Sequence, residues 1–315
     1  MSLNLHHLRT FAAVVRADGF GAAARALGVS QPAVSRAVRD LEREVGEPLL
    51  ERGARGVRPT ALGRALFDHA QAVATAERGA EEVIASARGL ERGALHVGAS
   101  TTIATYLLPP LIGAFARAHP GVDLRLSAVH TRALLPLVRR YEVDLALAEA
   151  PVEDPLVAVT RWITDAMVCI AAPAHPLARR VAAGGALPPD ALGDALLLLR
   201  EPESGTRDLV LRGLTAAGVI PTRTMAVDGT EVIKQLVAEG LGVAVVSRDA
   251  VRDQLAVGRL VEVPVAGLPI ERPFNRLAVH GREPSGTARA FLRLLHAEAA
   301  RRGTAARPPR KHREH

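Results

Sequence analysis

Apolar residues recur along this chain with two different periods, and the change of period divides it. Up to about residue 88 the spacing is helical; beyond it, short apolar runs of strand length alternate with helical stretches. Leu5, Leu8, Phe11, Ala12 and Val15 predict a first helix, and Ala22 to Leu27 a short second one whose small residues allow close packing. Gly28 then sits where a helix C-terminus favours the left-handed conformation. Ser30 follows as an N-cap candidate, with Pro32 tolerated in the first turn of a third helix. In that helix Val34, Val38, Leu41 and Val45 form one buried stripe, while Gln31, Ser35, Arg36 and Arg39 share the opposite face. Gly46 to Arg58 reads as a hairpin of two short β-prone pieces around Gly53-Ala54-Arg55-Gly56. Thr60 caps a long helix to about Arg88, on which Leu62, Leu66, His69, Val73, Ala76, Ala80, Val83 and Ala87 alternate at four and three residues. That is a heptad seam, and it calls for a partner. A second copy of the same helix is the simplest one; packing on its own domain is the alternative.

Gly89 to Gly93 breaks the long helix, and strands and helices then alternate. Strands are predicted at 95–100, 122–129, 143–150 and 157–163, with helices at 110–118 and 132–141 between them. A second unit begins with a strand at 166–173 and continues with strands near 196–199, 224–227 and 243–246 and helices near 208–217 and 232–239. The chain returns at 273–281 to complete the first sheet, and a last helix covers roughly 285–300. This βαβα order predicts mostly parallel sheets covered by helices, in two α/β units joined by two crossings with a cleft between them. The predicted division is 1–59, a connecting helix 60–89, a first subdomain 93–165 with 268–301, a second subdomain 166–267, and a basic, disordered tail 302–315.

Composition sharpens this picture in three places. The net charge is +7, but residues 301–315 carry six cations against Glu314 alone, so most of the excess lies in the tail and says little about the third helix. Aromatics are only 3% of the chain, so Ala, Val and Leu must build the interior. Cys169 is the single cysteine; it excludes an internal disulfide and, within MVCIAA, reads as a small buried hydrophobe, with a redox sensor as the exception. No apolar run approaches the ~18 residues of a membrane span, and the N-terminus lacks a signal-peptide pattern, so a cytoplasmic protein without membrane contact is expected.

A helix with an apolar back, a tight glycine turn before it and a Gln/Ser/Arg front fits the second helix of a helix-turn-helix. Gln and Arg can pair with base edges, while Ser and further Arg hold phosphates. Periodicity alone equally fits an ordinary amphipathic helix with a solvated charged face. On the hairpin, Arg52, Arg55 and Arg58 suit phosphates or a minor groove, with a solvated turn as the plain alternative. Leu8-Arg9-Thr10-Phe11, then AAARALGVSQPAVSRAVRDLE, then PLLERGARGVRPTALG at 48–63, resemble the N-terminal domain of the LysR-type transcriptional regulators. Two positions depart from that family. Asp18-Gly19-Phe20-Gly21 stands where Gly-Ser-Phe-Thr is usual, which removes a hydroxyl cap from the second helix unless Asp18 takes it over through an early start. Leu50 replaces the usual hairpin Phe. The resemblance implies a winged helix-turn-helix, mainly α, with Ser30, Gln31, Pro32, Ser35, Arg36, Arg39, Arg52, Arg55 and Arg58 facing promoter DNA. It also implies a linker helix that dimerises through Leu62, Leu66, Val73, Ala80 and Val83, and a homotetramer built from dimers.

Farther along, GASTTI (98–103), LLPPLIGAFARAHP, CIAAPAHPLA, LREPESGTR (199–207) and GLGVAVVSRDAV (240–251) resemble the effector domain of the same family. That implies a periplasmic-binding-protein-like (type 2) α/β fold of two subdomains, nearest to the branch regulating carbon-fixation and sulfur-assimilation genes. Ser100-Thr101-Thr102, His130-Thr131, Ser204-Gly205-Thr206-Arg207 and Gly229-Thr230 all fall where a strand ends and a helix begins. Free N–H groups and the positive dipole end make such a cleft suitable for a small anion, with Arg207 as countercharge. Each Ser or Thr could instead serve only as a helix cap. Glu149 would repel an anion unless it accepts a hydrogen bond from it or lies aside, and Pro109-Pro110 must kink or restart the helix after Thr102.

The expected protein is therefore a DNA-binding regulator controlled by a small anionic metabolite between its subdomains, with RNA polymerase a candidate partner. No cofactor, metal or catalysis is expected: there is no P-loop, Rossmann glycine signature, HExxH or GxSxG, and His119, His130 and His175 are isolated. The rival readings are an architectural DNA-binder without effector, using its Arg-rich tail, and an enzyme with a fused DNA-binding domain.

Overall fold

The computed structural model describes residues 3–53, 56–87, 93–149 and 152–305. Helices α1 (Leu5–Arg16), α2 (Phe20–Leu27) and α3 (Gln31–Val45) close around Leu8, Phe11, Val14, Ala23, Val34, Val38 and Leu41. An antiparallel hairpin of β1 (Leu50–Gly53) and β2 (Gly56–Pro59) follows. Glu42 holds it to α3, accepting from Leu49 N–H at 2.8 Å and Leu50 N–H at 3.1 Å. Helix α2 does not start early, and Asp18 does not take over its cap. Asp18 has φ 52°, Gly19 occupies the cap position of α2, and no side chain bonds there, because the left-handed turn at Asp18 carries it out of reach of the helix amides.

Thr60 Oγ1 accepts from Gly63 N–H at 3.0 Å and starts α4 (Ala61–Ala87). A Cβ at Gly63 would lie 2.0 Å from the Leu49 carbonyl oxygen, so the helix can start this close to the hairpin only with glycine there. The face that α4 buries against α1 is Phe67, Ala70 and Gln71. Of the heptad positions, Leu66 and Val73 pack partly against the same core, Leu62 and Ala80 are exposed, and the side chain of Val83 lies outside the description. Part of the seam thus packs on its own domain, and α4 also meets α11.

The second region contains β3 (Gly93–Ser100), α5 (Leu108–Ala118), β4 (Val122–Val129), α6 (Thr131–Arg139), β5 (Leu145–Ala148) and β6 (Val157–Ala171). It continues with α7 (Pro176–Gly184), β7 (Leu196–Arg200), α8 (Gly205–Ala216), β8 (Arg223–Val227), α9 (Thr230–Ala238) and β9 (Val243–Ser247). The last elements are α10 (Arg252–Ala256), β10 (Val261–Glu262), β11 (Ile270–Val279) and α11 (Gly286–Ala305). One sheet runs β4-β3-β5-β11-β6-β9-β7-β8, with β10 alongside β6. The outer groups β4-β3-β5 and β9-β7-β8 are parallel, whereas β6 and β11 are antiparallel to each other.

This corrects the expected strand division. The strands predicted at 157–163 and 166–173 are one 15-residue strand, and β11 begins at Ile270, three residues before the predicted start at 273. No Gly or Pro interrupts Trp162-Ile163-Thr164-Asp165-Ala166-Met167, so nothing breaks β6. Pro273 sits beside the register shift at Phe274/Asn275, where a missing N–H is tolerated. The crossings are therefore a long antiparallel ribbon, and the two halves share one sheet. Phe115, Phe274 and Phe291 fill the first half's core; Leu197, Leu199, Leu214 and Cys169 lie in the second half's. Before α5 the backbone widens into a π-turn at Ile103–Leu107, and the helix restarts at Leu108, because Pro109 and Pro110 cannot supply the next amide donors. Helix α11 continues to Ala305, so Arg302 is helical and not part of a tail: it pairs with Asp249 at 2.6 Å and Glu298 at 2.7 Å. Residues 306–315 lie outside the described residues. No helix among the described residues is long and apolar enough to cross a membrane.

Candidate functional site

Two surfaces gather the polar residues singled out above. The first is α3. Gly28 caps α2 at φ 66°, and Ser30 Oγ accepts from Ala33 N–H at 3.4 Å, so the turn between the helices is fixed at both ends. With Val34, Ala37, Val38 and Leu41 buried, Gln31, Pro32, Arg36 and Arg39 are exposed and Ser35 half-exposed beside them. Arg39 Nε bonds the Ser35 carbonyl at 3.3 Å, which ties that guanidinium along the helix, whereas Arg36 has no partner among the described residues. Arg58 is exposed on β2; Arg55 and the side chain of Arg52 lie outside the description. Arg25 is exposed on α2, one helix earlier, and was not anticipated; a lone Arg in an alanine-rich helix carries no periodic signal.

The second surface lies between the two halves of the sheet. Thr102, Thr206, Arg207 and Thr230 line a small cavity together with Arg200, Ser247 and Arg272. His130, Thr131, Glu149 and Ser204 line an adjoining cleft of about 510 Å³, again with Arg200 and Arg272, and with Arg132 and Arg212 at its mouth. Ser100 is fully buried behind these walls with its Oγ unpartnered, and Thr101 is half-buried and lines neither space. The cap positions Thr102, His130 and Ser204 make no side-chain bond to a helix amide, and Gly229 has no side chain to offer α9. Capping alone therefore does not account for these residues.

Arg272 is the hub. Its Nε meets Asp165 Oδ2 at 2.8 Å, its Nη1 donates to Thr206 Oγ1 at 2.9 Å, and its Nη2 donates to Thr102 Oγ1 at 3.4 Å. Nη1 also lies 2.9 Å from Glu149 Oε2, a contact of charge without hydrogen-bond alignment. Asp165 Oδ1 accepts from Ser247 Oγ at 2.7 Å. Burial pushes the Asp165 carboxyl above its ordinary value, against the pull of Arg272 and Ser247. The second hub is Arg200, bound to Glu201 through Nε at 2.7 Å and Nη2 at 2.6 Å and donating to Thr230 Oγ1 at 3.1 Å. Burial works upward on Glu201, but the bonds and charge of Arg200 outweigh it and hold that carboxyl down at about 2. Arg207 does not offer a free countercharge: its Nη1 bonds the Arg200 carbonyl at 3.0 Å and braces the strand end. At the outer rim Tyr106 Oη donates across the halves to Glu231 Oε1 at 2.6 Å, and Lys234 Nζ donates to the same oxygen at 2.7 Å.

Arg200, Arg272, Asp165 and Ser247 were missed as site residues. The readable signal was a lone charge in an apolar run: Arg after LLLL, Asp between WIT and AMVCIA. Such residues, if buried, must find a partner. Cys169 is buried, which pushes its thiol up to about 12 and leaves little thiolate for redox chemistry.

Comparison with known proteins gives two family matches. Residues 5–64 match the bacterial regulatory helix-turn-helix protein, lysR family, and residues 88–300 match the LysR substrate binding domain. A RuBisCO operon transcriptional regulator of Allochromatium vinosum is 35% identical over 96% of this chain and 98% of its own length. The transcriptional regulator CbbR of Rhodospirillum rubrum is 33% identical over 94% and 97%. Among solved structures, a full-length OxyR variant of Pseudomonas aeruginosa has 28% identity and a TM-score of 0.75 over 95% of both chains. The regulatory domain of Synechocystis CcmR, solved in complex with 2-phosphoglycolate, has 27% identity and a TM-score of 0.59 over 66% of this chain and 98% of its own.

Proposed function

This chain belongs to the LysR family of bacterial transcriptional regulators, and from that premise we propose that its effector is a small phosphorylated anion held in the cleft between the two halves. The observation that carries the reading is that Arg200 and Arg272, both under a tenth exposed, line both parts of the cleft beside Thr102, Thr206 and Thr230. Buried guanidiniums with hydroxyls and uncapped helix amides are the donor set that suits a phosphate or carboxylate. The 2-phosphoglycolate complex of the related CcmR domain supports the same chemistry. Ligand entry alters closure across the Tyr106–Glu231 contact, which reorients paired α3 helices on DNA. That pairing runs through the seam of Leu62, Leu66, Val73 and Ala80, of which Leu62 and Ala80 are exposed, with dimers joining into a tetramer. Coupling of this kind requires different ligand affinities in two conformations.

A DNase footprint upstream of the protein's own gene, with and without a panel of phosphorylated sugars, 2-phosphoglycolate, sulfur oxyanions and carboxylates, tests the reading. Protection in patches about 10 base pairs apart that shift with one phosphorylated anion is expected. Uniform protection that ignores every anion sinks it and favours the architectural binder.

A further inference from the structure

The two arginines that line both parts of the cleft are already matched by carboxylates. Arg272 meets Asp165 and Glu149, and Arg200 meets Glu201. An anion entering there finds guanidiniums that are already paired, so one carboxylate must give way or the ligand meets repulsion. The three are not held alike. Asp165 is fully buried and bonded by both Ser247 and Arg272. Glu201 takes two bonds from Arg200, at 2.6 and 2.7 Å, and one from Gly229 N–H at 3.4 Å. Glu149 touches Arg272 by charge alone, its Oε2 accepts no hydrogen bond, and it lines the cleft directly.

A second buried polar atom without a partner, Ser100 Oγ, lies at the carboxyl end of β3, whose parallel neighbour is β5, the strand that leads into Glu149. Both unsatisfied polar atoms thus lie at the carboxyl ends of neighbouring parallel strands, where the native arrangement is incomplete.

We propose that Glu149 is an internal stand-in for the effector: its carboxylate occupies the anion position on Arg272, and the effector's anionic group displaces it. Glu149 thereby sets both affinity and selectivity. A ligand must offer more than a single weakly bonded carboxylate to take Arg272, which favours a dianion such as a phosphate monoester over a monocarboxylate. This inference rests on the reading of the cleft as an anion site.

The test is isothermal titration of the full-length wild type, Glu149→Gln and Glu149→Ala with inorganic phosphate, 2-phosphoglycolate and acetate, each protein first checked by thermal melting. Removal of the competing charge is expected to tighten phosphate and 2-phosphoglycolate about tenfold in both variants and to narrow the gap between 2-phosphoglycolate and acetate. Unchanged or weaker binding in the variants, with the wild type binding 2-phosphoglycolate, overturns the inference and leaves the anion site standing. Failure of all three proteins to bind any probe overturns both.

Discussion

In the N-terminal helices the polar residues lie outside a core of Leu8, Phe11, Val38 and Leu41, whereas in the cleft the polar residues are themselves buried. Ser100, Thr102, Asp165, Arg200, Thr206, Ser247 and Arg272 are each under a tenth exposed. The first region can lose a surface side chain and keep its fold. In the second, ligand chemistry and folding energy reside in the same atoms. A recognition surface must be presented in one fixed shape, and an apolar core behind it does that. A site that responds to a ligand needs interactions whose partners can be exchanged, and buried, internally neutral charge provides them.

The comparison is broken most directly at Arg272. Arg272→Ala leaves Asp165 buried without its cation, and a loss of about 3–5 kcal/mol is expected in urea unfolding. A loss below about 1 kcal/mol would show that the network is not structural. Next comes the apolar core behind α3. Leu41→Ala should cost about 3 kcal/mol and remove DNA binding together with the N-terminal fold. Arg36→Ala, by contrast, should weaken DNA binding by about 1–3 kcal/mol while the melt moves by no more than about 0.5 kcal/mol. Gel shifts across a salt series, run beside thermal melts, separate those two variants.

The smallest effect is a pH dependence at Glu201. Its folded value, about 2, lies below the ordinary 4.5, so the carboxylate stabilises the fold above pH 4.5 and that contribution is lost as pH falls towards 2. The stability difference between wild type and Glu201→Gln should be about 1 kcal/mol at neutral pH after solvent screening, and should vanish across that window. A difference that stays constant down to pH 2 would remove Glu201 from the charge balance.

Much of the N-terminal half was legible because its signals are local. Gly28, Ser30 and the stripe Val34, Val38, Leu41 each lie about one helical turn or less from the next, and they take the expected places. The seam on α4 was legible as a pattern, but Phe67 and Ala70, which bind the helix to its own domain, share that helix at another phase and could not be ranked against it. The cleft was legible only along single segments. The hydroxyls at strand ends were found, since strand-to-helix junctions can be read in order. Arg272 was not, because its role depends on Asp165, 107 positions earlier, and on Thr102, 170 positions earlier. Long-range pairing of lone charges is the one signal that periodicity does not carry.

The rigid surface and the exchangeable interior are expected to be coupled. Coupling is reciprocal: if an anion changes DNA affinity by some factor, DNA must change anion affinity by the same factor. The direct measurement is the titration of 2-phosphoglycolate onto full-length protein, free and saturated with its footprinted promoter fragment, beside DNA binding with and without the anion. Two equal ratios, about tenfold, are expected. Identical anion affinities for free and DNA-bound protein would contradict that coupling.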